Sequence, residues 1–272
     1  MLSVSCRKKP RNGYPDEFPS NADGGRCSSI AIAQAILDRI KTEDLRGGRL
    51  AGQVSGSDFA QITRSFVEQS FVFLETLRPG KWDFNPPKRE IYQFEQYHHL
   101  ARLLEISDEN QEVADLLGTD CQLAPDVLVA RQPEPDDFIN SQHFLVDDTV
   151  GLRASIRRRN NDLPILHASI SCEWTLPSDR AQDARSQALK LIRHRKGRLP
   201  HIVVVTGEPL PSRLASLALG TGDLDCVYHF ALPELIAGVE ALGQEDPANL
   251  VKTMVDGKRL KDIADLPLDL AV

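Results

Sequence analysis

Between residues 126 and 230 the chain carries four short runs of apolar or β-branched residues, at 126–130, 165–172, 201–206 and 225–230. This feature constrains the fold more than any other. Runs of this length without regular polar interruption read as strands covered on both faces. The stretches at 179–195, 211–219 and 232–242 have helical spacing. Strands joined by helix-bearing connections form a parallel or mixed sheet. The expected class is therefore α/β, a mixed central sheet flanked by helices. A chain of 272 residues can bury a large core as one such domain. With no internal repeat or low-complexity tract, one domain with an N-terminal helical portion is the economical reading.

Upstream, the first 27 residues are polar, contain Pro and Gly, and read as an irregular arm. A helix is expected over 28–42, with Ser28 or Ser29 as N-cap. The segment GGRLAGQVSGSD reads as a glycine-rich link into a second helix over 59–77, where Phe59, Ile62, Phe66, Phe73 and Leu77 keep helical spacing. Pro79 and Gly80 end it. A third helix is expected over 89–106 and a short one over 109–117.

Composition excludes several classes. A hydrophobic fraction of 41% with 26% charged residues is that of a globular chain. No stretch reaches the roughly 18 apolar residues of a membrane span. The opening residues lack the apolar core of a secretory signal, so a cytoplasmic protein is expected. Cys6, Cys27, Cys121, Cys172 and Cys226 form no CxxC pair. They read as reduced thiols, not as a disulfide framework or zinc site.

The charge balance, 32 Lys+Arg against 39 Asp+Glu for a net of −7, leans mildly against a nucleic-acid partner, yet net charge says nothing of where charge sits. Arg185, Lys190, Arg193, His194, Arg195, Lys196 and Arg198 fall within fourteen positions, on a helix that Ser178 or Asp179 can cap. With Arg157, Arg158 and Arg159 they would supply a positive face for phosphates. Cations near a helix C-terminus are also favoured by its dipole, so both readings stand.

Two segments carry chemistry. Ala124-Pro125-Asp126 opens one strand, and Ser169-Ile170-Ser171-Cys172-Glu173-Trp174 closes another. A carboxylate at each could meet at one sheet edge and hold Mg²⁺, a hard cation that suits oxygen ligands. The same residues also read as a strand-entry turn and a solvated strand end. His98, His99, His167, His201 and His229 read as buried, satisfied histidines, and there is no GxSxG, P-loop or GxGxxG context.

The strings HASISC, RKGRLPHIVVVT, SRLASLALGTGDLDCVYHFALPEL and VDGKRLKDIADLPLDLAV, with SNAD, GQVSG, RPGKW and Ala124-Pro125-Asp126 upstream, closely resemble the NgoMIV-type type II restriction endonucleases. The resemblance runs from about residue 20, leaving 1–19 as an unmatched arm and 20–272 as one restriction-endonuclease-like domain. It implies a PD-(D/E)xK core, Mg²⁺-dependent cleavage of duplex DNA at a GC-rich palindrome of the GCCGGC or CCGG type, and a homo-oligomeric dimer of dimers. A cognate DNA methyltransferase is a further implied partner. By this resemblance Asp126 and the main-chain carbonyl of Cys172 bind metal, and Asp126, Ser171, Cys172, Glu173 and Gln187 occupy the catalytic positions. Asp23, Asp179, Arg180 and Arg213 match DNA readers, Arg180 of the inner CCGG guanines and Asp23 and Arg213 of the outer base pair.

Four positions depart from the family. Its catalytic lysine falls on Glu173, its helix glutamate on Gln187, its early glutamate on Ala60, and a base-reading arginine on Pro177. The first change reverses a charge beside Asp126; the next two remove carboxylates that support the metal site. The last leaves the recognition sequence open. An impaired endonuclease is expected, with a catalytically inactive, sequence-specific DNA-binding homologue as the alternative. A further variant has Glu173 share the metal with Asp126, aided by Asp58 or Lys190.

Overall fold

The computed structural model describes residues 4–6, 13–40, 52–84, 86, 90–110, 112, 115, 123, 125–220 and 222–272. In chain order its elements are β1 (Val4–Cys6), β2 (Glu17–Pro19), α1 (Cys27–Ile40), α2 (Gly52–Val72), β3 (Trp82–Asp83), α3 (His99–Glu109), β4 (Val127–Arg131) and α4 (Asp136–Ile139). These are followed by β5 (Ile165–Glu173), α5 (Ser178–His194), β6 (His201–Thr206), α6 (Pro211–Ala218), β7 (Cys226–His229), α7 (Leu232–Ala241), α8 (Glu245–Asp256), β8 (Leu260–Asp262) and α9 (Leu266–Asp269).

Strands β3 to β8 form one sheet in sequence order. The β3–β4 and β4–β5 pairs are antiparallel; β5–β6, β6–β7 and β7–β8 are parallel. The mixed sheet expected from the connections is thus present.

Alternation along the strands divides the core in two. Leu128, Ala130, Leu166, Ile202, Val204, Val227 and Leu260 face α1 and α5–α8. Val127, Val129, Ala168, Ile170, Cys172, Val203, Val205 and Tyr228 face α2 and α9. In β5, Ala168 pairs with Val129 but Leu166 pairs with Ala130, so His167 is an extra residue in a β-bulge. The bulge flips the alternation, which lets Leu166 and Ala168, two apart, serve opposite cores. Helix α5 lies on its face through Ala181, Ala184, Ala188 and Leu191, a stripe at the i, i+3, i+7 period.

The N-terminal region differs from expectation. The arm contains a small antiparallel pair, β1 with β2, and α1 begins at Cys27. GQVSG opens α2 instead of linking to it. Phe59, Val67 and Phe71 anchor the helix in the core, and that burial outweighs the cost of about 1 kcal/mol for each helical glycine. Helix α2 then stops at Val72, leaving Phe73 85% and Leu77 66% exposed.

The expected third helix is broken into 3-10 turns at Ile91–Gln93 and Glu95–Tyr97 before α3. Its groups bond to the sheet instead: Glu95 N donates to Pro164 O (3.0 Å), and the Gln96 amide pairs with both Leu166 O (2.7 Å) and Leu166 N (2.9 Å). The short helix expected over 109–117 lies largely outside the described residues. Helix α5 is preceded by Pro177, without a side-chain cap from Ser178 or Asp179.

Arg157 corrects the expected positive face. It is fully buried, and its Nε and Nη2 donate to the two oxygens of Asp136 at 2.6 Å each, while Nη1 reaches Val150 O at 2.9 Å. Arg158 donates to Pro133 O (3.2 Å) and Arg159 pairs with Asp148. The triplet organises the β4–β5 excursion.

His167 sits in the β-bulge, edge-on to Trp82 and His201. Nε2 donates to Leu270 O (2.7 Å), which leaves Nδ1 as the acceptor facing Arg78 Nη2 (3.5 Å). Burial, with His201, Arg78 and Arg198 nearby, pushes its pKa down to about 3. The folded protein therefore refuses a proton that the unfolded chain takes up below about pH 6.5. The stability this gives is present above that pH and is lost as pH falls toward 3. Urea unfolding between pH 6 and 4.5 should show stability falling with acid, and His167→Gln should reduce that slope by about 1.4 kcal/mol per pH unit. An unchanged slope would show that His167 is protonated in the fold.

Candidate functional site

The site begins with the register of β4 and β5. Val127 lies opposite Ile170 in an antiparallel pair, so the residue before β4 falls beside the end of β5. Asp126, half-buried, accepts the Cys172 main-chain N–H on Oδ2 at 2.8 Å. The two chemical segments separated in sequence thus meet at one sheet end, as a strand-entry carboxylate and a strand-exit carboxylate.

Cys172 turns its side chain into the α2-facing core. Burial, with the Asp126 charge beside it, pushes its thiol well above the ordinary range, so the sulfur stays protonated and is a poor metal ligand. Only its main chain is suited to ligation. In an extended strand a residue's N–H and C=O point to the same neighbour, which directs the Cys172 carbonyl toward the β4 side. Ser171, half-buried, pairs in register with Val204 of β6.

Glu173 ends β5 opposite Thr206, with its side chain 18% exposed. Burial raises its carboxyl pKa to about 7; Arg180 opposes the rise, while Asp126 and Asp183 add to it. Arg180, in the first turn of α5, donates from Nη1 to Glu173 Oε2 at 3.3 Å. Glu173 is therefore a carboxyl group of raised pKa paired with Arg180.

The other departures are equally physical. Ala60 is buried on α2 in the cluster that holds Cys172 and Trp174, and Phe59 meets Trp174 edge-on at 5.1 Å between ring centroids. Helix α2 thus reaches the site but presents a methyl group there. Gln187 is half-buried on α5, seven residues or about two turns beyond Arg180. Asp179 is exposed in the first turn of α5. Among the described residues neither Gln187 nor Asp179 makes a hydrogen bond to Asp126 or Glu173. Asp58 and Lys190 are half-buried on α2 and α5.

Asp23 and Arg213, 190 residues apart, meet directly: Arg213 Nη2 donates to Asp23 Oδ2 at 2.5 Å. Asp23 also accepts from Gly25 N (2.9 Å), and its own N–H donates to Ser29 Oγ (2.8 Å). Ser29, expected as a helix cap, instead accepts this main-chain N–H of Asp23. Arg213 Nη1 reaches Glu208 Oε2 at 3.3 Å. Sequence reasoning passed over Glu208, whose only signal is an acid in the turn after an apolar strand.

No group of three or more His, Cys, Asp or Glu side chains among the described residues is arranged to enclose a metal. Mg²⁺ needs less than an enclosing cage, since one or two carboxylates with water suffice. Asp126 and Glu173, whose negative charges raise each other's cost, fit such an ion together with the Cys172 carbonyl.

The NgoMIV restriction enzyme family profile matches residues 10–272. The chain is also 51% identical over 257 residues to the type II restriction enzyme NgoMIV of Neisseria gonorrhoeae, spanning 93% of this chain and 90% of that enzyme. With the mixed sheet and the paired strand ends, this similarity over nearly the whole length shows that the chain belongs to the NgoMIV restriction enzyme family of type II restriction enzymes.

Proposed function

We propose that the protein binds a GC-rich palindromic duplex of the GCCGGC or CCGG type through Asp23, Asp179, Arg180 and Arg213, and hydrolyses its phosphodiester bond slowly at Asp126 with Mg²⁺. The single observation that carries this reading is the meeting of Asp126 with the Cys172–Glu173 strand end, where Glu173 pairs with Arg180 in the first turn of α5. Mg²⁺ bound by Asp126 and the Cys172 carbonyl would supply charge stabilisation at the phosphate and a more acidic water. The chain's own residues account for the slowness. The Cys172 N–H orients the Asp126 carboxylate through Oδ2. Glu173 lacks the positive charge that a lysine brings to the attacking water and the phosphate. Ala60 and Gln187 add no carboxylate.

Guanine offers O6 and N7 to arginine, and cytosine offers N4–H to aspartate. Arg180 and Arg213 suit the first contact; Asp23 and Asp179 suit the second. Assembly as a dimer of dimers fits the exposed Phe73 and, at 76%, Phe144. We infer a cytoplasmic enzyme that acts beside a methyltransferase protecting the same site, as the resemblance implies; no described helix is long and apolar enough to cross a membrane.

A second reading, a DNA-binding homologue without cleavage, is favoured by the Glu173–Arg180 ion pair, which commits the substituted residue to another partner. Two assays separate the readings: gel shift of a GCCGGC duplex in Ca²⁺, and plasmid cleavage in Mg²⁺ or Mn²⁺. A shift with slow cleavage that Asp126→Asn abolishes is expected. A shift without cleavage at high protein concentration favours the second reading, and no shift defeats both. Glu173→Lys with Gln187→Glu and Ala60→Glu should raise the cleavage rate by several powers of ten, on the order of what such groups contribute. A triple variant that binds yet cuts no faster would show that the substitutions are not what limits the rate.

Arg180→Ala should weaken binding to the GC-rich duplex by about 1–3 kcal/mol and relax preference at one base pair. Equal loss on all sequences would instead assign Arg180 to a phosphate.

A further inference from the structure

The turn that follows β6 gathers all the segments carrying the DNA readers. Its centre is Glu208, with no exposed surface. Glu208 Oε2 accepts the Leu176 N–H at 2.8 Å and Arg213 Nη1 at 3.3 Å. Its Oε1 accepts the Leu210 N–H at 3.1 Å, and its own N–H donates to Thr206 Oγ1 at 3.1 Å. Leu176 lies on the connection from Glu173 to Arg180, and Leu210 caps α6, which carries Arg213. One carboxylate therefore ties the lead-in of α5, the start of α6 and a guanidinium together.

The preceding residue extends the tie to the arm. Gly207 O accepts from Nδ2 of Asn21, itself fully buried and two residues before Asp23, at 2.9 Å. Gly207 also lies against Trp174: a Cβ there would stand 2.7 Å from the indole ring, closer than real side chains pack. The turn is thereby pressed onto the residue that follows Glu173.

We propose that Glu208 is a positioning residue for sequence readout, a buried carboxylate that fixes Arg213 relative to the Arg180-bearing lead-in so that outer and inner base pairs are read in one frame. It needs an acceptor-only group. Three donors converge on its two oxygens, and a carboxylate accepts on both. Burial raises the Glu208 pKa, while the Leu176 and Leu210 N–H groups and Arg213 oppose the rise, as expected of a buried acid held by donors. An amide at this position would turn its NH₂ either toward the Leu210 N–H or toward the Leu176 N–H and the guanidinium together, leaving at least one donor unsatisfied.

The inference rests on the proposed DNA reading and is tested with the full chain in Ca²⁺. Gel-shift affinities are measured for GCCGGC and for the outer-swapped ACCGGT duplex, together with thermal melting. For the wild type, GCCGGC should bind more tightly. Glu208→Gln should lower that preference on the order of tenfold, the cost of one unpaired buried donor. Adding Glu208→Gln to Arg213→Ala should not lower the outer preference further, because the first change acts through Arg213. If the amide variant does not fold, Glu208→Asp keeps the charge but is one methylene too short to reach all three donors, and the same loss of preference is expected with cooperative melting retained. A folded Glu208 variant with wild-type preference overturns the inference and leaves the DNA reading standing. A wild type that shifts neither duplex, or both equally, overturns the reading itself and this inference with it.

Discussion

The hydrogen bond from the Cys172 N–H to Asp126 depends on the antiparallel register of β4 and β5, and so does the core. A slip of one residue would turn Val127 and Val129 from the α2 face to the α5 face and reverse every inward side chain of β4. The same slip would carry Asp126 away from Cys172. Packing and site geometry are therefore one constraint, and apolar burial on both faces enforces the chemistry at the strand ends. The bulge at His167 belongs to this constraint. It absorbs one residue so that Leu166 fills one core while Ala168 and Ile170 fill the other.

Charge is organised by pairing, which is why the net −7 misleads in both directions. Arg157 is spent on Asp136, Arg185 on Asp223, Arg180 on Glu173, and Arg213 on Asp23 and Glu208. Within the positive face read from the sequence, Arg157, Arg159 and Arg185 are thus paired internally. Arg193, Arg195, Lys196 and Arg198, at and beyond the end of α5, remain exposed. Their position agrees with the helix dipole, and they are the cations of this stretch still available to a phosphate backbone. On the proposed reading, a small exposed set limits sequence-independent attraction and leaves more of the discrimination to base contacts.

The strands at 126–130, 165–172, 201–206 and 225–230 were legible to within a residue or two, because burial on both faces keeps them mostly apolar, with few polar residues to blur the pattern. β3 and β8, of two and three residues, are too short to carry a period, and α8 buries only Val251 and Met254, too thin a stripe to stand out. The convergence of Asp126 with Glu173 could be read from strand ends. The role of Arg157 could not, since an arginine triplet looks the same in sequence whether it faces water or a buried carboxylate. Nor could that of Glu208. Its partners lie 32 residues upstream and in the next helix, and only tertiary burial turns a polar turn into an anchor.

On the proposed reading, the unbound protein keeps its readers engaged with one another. Arg213 and Asp23 present a donor and an acceptor, the complements of the guanine and cytosine edges of one base pair. Their mutual ion pair must open for either to reach DNA, and both charges then need new partners. A G·C pair supplies both edges together; an A·T pair leaves at least one charge poorly matched. Discrimination therefore comes from the contact to the right pair and also from the internal bond that a wrong pair fails to replace. At Arg180 the internal partner is Glu173. A lysine there would repel Arg180 toward the DNA, whereas the glutamate competes with guanine for it. The substitution that weakens hydrolysis thus acts on binding as well, through the same carboxylate.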